Sequence, residues 1–130
     1  MSICALVAAL LLGLALLAHL FVGTAEYRTI APAAEPNATR QAWVQGLGAW
    51  HFVTVDLLVT TLLFAAVGLG DWMMPVEAIL LRCLGVYFLV QGIVWLLVLS
   101  VSGHATPNRY LKLPQWLLFW IVAGLAFAAS

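Results

Sequence analysis

Apolar residues fall in four long runs along this chain, and the short stretches between the runs hold most of the charge. The first run goes from about Ile3 to Ala25, the second from about Trp43 to Leu69, the third from about Pro75 to Val101 and the fourth from about Leu113 to Ala129. A hydrocarbon core about 30 Å thick takes about 20 helical residues, so each run reads as a transmembrane helix, the fourth at the short end of the range. Pro75 and Pro114 stand where a first helical turn begins, the position that tolerates a missing N–H. The links of about 17, 5 and 11 residues are short enough to set neighbouring helices antiparallel. The expectation is an all-α integral membrane protein, an antiparallel four-helix bundle in which residues 1–130 form one transmembrane domain.

Composition strengthens that expectation. Of 130 residues, 65% are hydrophobic and 8% charged, and the mean hydropathy is +1.11. A soluble domain runs near half apolar and about a quarter charged, so a water-soluble globule is excluded. Five Lys and Arg balance five Asp and Glu, which leaves no basic face for nucleic acid. Cys4 and Cys83 sit at different expected depths and no C-x-x-C occurs, so neither a disulfide nor a thiol metal site is expected. Nothing resembles a nucleophile elbow, a glycine-rich phosphate loop or a catalytic triad, and an enzymatic role is not expected.

Charge placement predicts an orientation. Arg28 and Arg40 fall in the first link and Arg109 and Lys112 in the third, whereas the region of the second link has Asp71 and Glu77. The positive-inside bias then puts links one and three in the cytoplasm and both termini outside, as in a bacterial inner membrane. Tyr27, Trp43, Tyr110 and Trp116 form an inner aromatic belt on this reading, and Trp72 marks the outer one. Gly23-Thr24-Ala25 before Glu26 has the small residues of a signal-peptidase site. The first run is nevertheless read as a retained span, because it is long and lacks a basic leader.

Polar residues inside the runs are the candidates for chemistry, since each costs on the order of 2.5 to 3.5 kcal/mol in a membrane without a partner or a role. By helical rise, His19, His51 and Gln91 lie roughly 9, 12 and 15 Å from the inner surface, one layer shared by three helices. Glu26, seven residues after His19, falls on the same face of an α-helix, and His104 in the third link can fold over the same mouth. His19, His51 and Gln91 are therefore the candidate cofactor-binding residues. Two histidines at matched depth suit axial haem ligation, and His19, Glu26, His51 and His104 together suit a divalent metal. No H-E-x-x-H or E-x-x-H spacing accompanies them. The competing reading has the imidazoles bonded to each other, to Gln91 or to backbone carbonyls.

Asp56 lies near the centre of the second run and Arg82 about 10 Å below the outer end of the third. They form either a structural ion pair or a proton-relay pair, unless Arg82 snorkels to the headgroups and leaves Asp56 protonated. Ala5, Ala9 and Gly13 make a small-residue stripe on the first helix. Ala78, Arg82, Gly85, Leu89 and Gly92 make another on the third, expected to face inward.

In size the chain resembles small four-span drug exporters, but the central glutamate of their first helix has no counterpart here. The paired histidines are its one likeness to four-helix cytochromes b. Three functions follow from the residues: a membrane protein binding haem, a metal ion or a protonatable ligand in the histidine layer; a non-catalytic accessory subunit of a larger membrane complex; and a proton-coupled small carrier using Asp56. The expected partners are the lipid bilayer and either other membrane subunits or a second copy of the chain.

Overall fold

In hydrocarbon every backbone N–H and C=O must be satisfied within the protein, and a run of apolar residues meets that demand locally by coiling into a helix. The computed structural model follows this rule. It describes residues 1–33, 37–70, 75–102, 109–112 and 114–130, with Arg109 described by its backbone alone. Every element among them is helical: α1 (Ile3–Ala18), a π-helical turn (His19–Gly23), α2 (Thr24–Thr29), α3 (Ala38–Leu69), α4 (Glu77–Val101), the short α5 (Arg109–Lys112) and α6 (Gln115–Ala129). α1, the π-turn and α2 run on without a break as Ile3–Thr29.

Three helices, Ile3–Thr29, Ala38–Leu69 and Glu77–Val101, are long and apolar enough to cross a membrane, and Gln115–Ala129 is a shorter apolar helix. Many of their large side chains point outward, among them Phe21 at 72% exposed and Phe52 at 77%. The buried positions of α1 are instead small, Ala5, Ala8 and Ala9, with Leu12 beside them. Small residues at the contacts of α1 and many apolar groups on the outside suit a lipid solvent, and the chain is an integral membrane protein by length and composition.

Two helices are longer than their apolar runs. α3 starts at Ala38, five residues before Trp43, because the Asn37 side chain caps it by accepting the Arg40 N–H at 2.8 Å. α2 carries the first helix on to Thr29, past Ala25. At 1.5 Å per residue, Ile3–Thr29 is about 40 Å long and α3 about 48 Å, more than the hydrocarbon layer requires.

The described chain divides into two units, Ala9–Leu63 and Met1–Ala8 with Phe64–Ser130. The first is an antiparallel helical hairpin. As the first helix advances from Gly13 to Gly23 to Tyr27, its contacts on α3 retreat from Thr61 to Trp50 to Gly46.

In the second unit the start of α1 lies against the end of α3, where Ser2 N–H donates to the Gly68 carbonyl at 3.2 Å. α4 and α6 pack along each other, and aromatic side chains of α6 rest on glycines of α4: Phe127 on Gly85 and Trp120 on Gly92. Phe64, Leu81, Phe88, Val122 and Ala126 are fully buried there, and Phe88 meets Phe64 and Phe119, each at 6.1 Å between centroids.

This packing corrects the expected inner stripe of the third span. The buried face of α4 is Leu81, Leu84, Gly85, Phe88, Gly92 and Leu99, while Arg82 and Leu89 are exposed. Leu81, Phe88, Gly92 and Leu99 share one direction at 100° per residue, and Arg82 lies about 100° around from Leu81. Spacing by threes and fours alone does not separate a stripe's centre from its edge.

A Cβ built at Gly85 would lie 2.7 Å from the Phe127 ring, whereas one at Gly124 meets nothing within 4 Å. Gly85→Ala is therefore expected to lower stability by about 1 to 3 kcal/mol through overpacking. Gly124→Ala is expected to leave stability unchanged or to raise it through helix propensity. Thermal unfolding of the two variants in detergent checks both.

Candidate functional site

The hairpin unit gathers its polar and aromatic side chains around Trp50, on the face of α3 turned towards the first helix. The π-turn makes this possible. The Thr24 N–H donates to the His19 carbonyl, five residues back, and the Thr24 hydroxyl donates to the same carbonyl at 3.0 Å. Such a turn accommodates one extra residue. Gly23 closes the turn and leaves room for the indole, for a Cβ there would lie 2.6 Å from Trp50 Cζ2.

Two hydrogen bonds and a stack fix Trp50 in this space. Its Nε1–H donates to Thr24 Oγ1 at 3.0 Å, so one hydroxyl accepts from α3 and donates to the first helix. The His19 Nε2–H donates to the Trp50 carbonyl at 3.0 Å. Because the partner is a carbonyl, Nε2 must carry the proton, and in the neutral ring Nδ1 holds the lone pair. The His19 ring also stacks on the indole, 4.1 Å between centroids and 15° from parallel.

The stacking continues from Trp50 to Tyr27 at 5.4 Å and from Tyr27 to Trp43 at 5.9 Å, and the Arg40 guanidinium lies 5.5 Å from the Trp43 ring. Ring pairs of this kind contribute about 0.5 to 1.5 kcal/mol each beyond the area they bury. The Tyr27 hydroxyl donates to the Trp43 carbonyl at 3.4 Å, and Arg40 Nη1 donates to the Pro32 carbonyl at 3.1 Å.

Two buried groups have no partner among the described residues, Trp43 Nε1 and Thr54 Oγ1. Thr54 has a physical explanation. A helical threonine ordinarily bonds the carbonyl three or four residues back, as Thr60 does to Asp56 and Thr61 to Leu57. For Thr54 the carbonyl four residues back is that of Trp50, which already receives His19.

The candidate residues from the sequence are distributed as follows. His19 is half-buried in the Trp50 contact, while His51, one residue further along α3, is exposed on another face. Glu26 is exposed on α2. It does not share His19's side because the residue accommodated by the π-turn shifts the helical phase by about 100°, which brings Tyr27 there instead.

Gln91 belongs to the other unit, where its Nε2 donates to the Tyr87 hydroxyl one turn back on α4 at 2.7 Å. Asp56 is half-buried on α3, and Arg82 is exposed on α4. His104 and Trp72 lie outside the described residues. Among the described residues no three His, Cys, Asp or Glu side chains are grouped so that they could hold a metal ion. Cys4 and Cys83 are free thiols.

Sequence reasoning missed Trp50, Thr24 and Gly23. One signal was present: Trp43 and Trp50 are seven apart, two helical turns, and so share a face of α3. Comparison with known proteins finds no matching family model, no matching curated protein and no matching solved structure.

Trp50→Ala is expected to remove about 3 to 5 kcal/mol of stability, since it empties the centre of the stack. Thr54→Val is expected to be neutral or stabilising by about 1 kcal/mol, because it removes a buried hydroxyl that has no partner. Thr61→Val, which removes a bonded hydroxyl, is the comparison, and thermal unfolding in detergent distinguishes the three.

Proposed function

We propose that this chain is a non-catalytic subunit of a larger membrane complex, with four antiparallel spans crossing a bacterial inner membrane and both termini outside the cytoplasm. The orientation rests on Arg28, Arg40, Arg109 and Lys112, which fall in the two links assigned to the cytoplasm. The observation that carries the functional reading is the closure of His19 against Trp50 by a hydrogen bond and a stack. An imidazole engaged in this way serves helix packing, and Gln91 is likewise engaged within α4 by Tyr87.

His51 supports the same reading from the opposite direction. It is exposed on α3 inside the second apolar run, where an imidazole left to lipid is costly and a polar group of a neighbouring subunit relieves the cost.

Two measurements on the protein test this reading together. The purified chain is expected to show no Soret band and no stoichiometric metal. In solubilised native membranes it is expected to migrate well above the mass of its own purified form. Migration identical to that of the purified protein contradicts the subunit reading. A Soret band or bound metal that disappears in His19→Ala or His51→Ala establishes the ligand-binding function in its place.

A further inference from the structure

Arg82 stands five residues after the start of α4 at Glu77, roughly 7.5 Å along the axis, and its side chain is exposed. Among the described residues none hydrogen-bonds or ion-pairs with it. A cation on the outer face of a membrane-crossing helix is costly unless an anion or water meets it, and the long arginine stem lets the guanidinium rise towards the headgroup layer.

Beside Arg82 the surface is indented by a shallow groove of about 420 Å³, lined by Arg82, Cys83, Val86 and Tyr87, with walls that are almost wholly apolar. Arg82 and Val86 are one turn apart, as are Cys83 and Tyr87, so the groove follows the helix from the guanidinium deeper into the span.

The two parts of this surface call for different chemistry on one molecule. The guanidinium offers paired N–H donors in a fork that matches phosphate oxygens. The groove beneath it offers only hydrocarbon contact. We propose that this face of α4 binds one anionic phospholipid, with the phosphate on Arg82 and an acyl chain along Val86 and Tyr87.

Charge decides between the possible occupants. A second copy docked on the same face about a two-fold axis brings two arginines together in a medium of low dielectric, where like charges repel strongly. A zwitterionic lipid brings its own ammonium and leaves the arginine's charge uncompensated. An anionic lipid neutralises it and also fills the groove.

Native mass spectrometry of the intact protein, purified in detergent and supplied with phosphatidylglycerol or with phosphatidylcholine of the same chains, tests the proposal. One phosphatidylglycerol is expected to be retained, preferred over phosphatidylcholine by about fivefold, the factor that one interfacial basic charge is worth. Arg82→Gln is expected to remove the preference and Arg82→Lys to keep part of it. Val86→Trp, which leaves the charge and fills the groove, is expected to lose the bound lipid. Arg28→Gln, an exposed arginine on α2, is expected to retain it as the unaltered protein does. An unchanged preference in Arg82→Gln, or unchanged retention in Val86→Trp, overturns the proposal. So does displacement of the lipid by an equal concentration of glycerol phosphate, since the headgroup alone would then be the ligand.

Discussion

The contact between His19 and Trp50 sets the arrangement of the hairpin unit. A backbone inside a membrane cannot leave its groups to water, so a change in the ladder of helix bonds has to keep those groups bonded. At the π-turn His19–Gly23 the Thr24 N–H bonds the His19 carbonyl five residues back. The Thr24 hydroxyl adds a second bond to that carbonyl and receives the Trp50 indole N–H. His19 in turn bonds the Trp50 carbonyl. Each helix therefore completes the other's hydrogen bonding at the same depth, which fixes the register of the hairpin. The ring stack from Trp50 through Tyr27 to Trp43 then extends the contact towards the connecting link.

Three helices long enough to cross a membrane and a shorter apolar fourth are legible in the sequence, and the surroundings of Trp50 are legible only in part, for physical reasons that differ residue by residue. Long apolar runs have one stable backbone solution in lipid, so the helices were readable from hydropathy. Their ends were less so, because the Asn37 cap lies outside the apolar pattern and begins α3 five residues early. The layer drawn through His19, His51 and Gln91 rested on depth, and depth says nothing about direction around a helix. α-Helical phase throughout puts Glu26 on His19's side, and the π-turn alters that phase. Spacing groups Arg82 with Gly85 and Gly92, yet it stands at the edge of that stripe and is exposed. In the sequence Trp50 has no distinguishing mark, because a tryptophan within an apolar run looks like one more lipid-facing ring.

Function on this account lies on the outside of the helices. His19 is closed into the hairpin and Gln91 into α4, whereas His51 and Arg82 are exposed on helices that are apolar enough to cross a membrane. Polar groups at such positions are costly in lipid, and we propose that a neighbouring subunit meets His51 and an anionic lipid meets Arg82.

The tautomer and ring environment of His19 report whether it is closed against Trp50 in solution. Imidazole nitrogen NMR of histidine-labelled protein in detergent, with the three histidines assigned by single replacement, reads both. His19 is expected to carry its proton on Nε2, with its ring protons shifted upfield by the indole of Trp50, a shift that is lost in Trp50→Ala. A proton on Nδ1 with Nε2 unprotonated, or ring protons at unshifted positions in the unaltered protein, contradicts that closure.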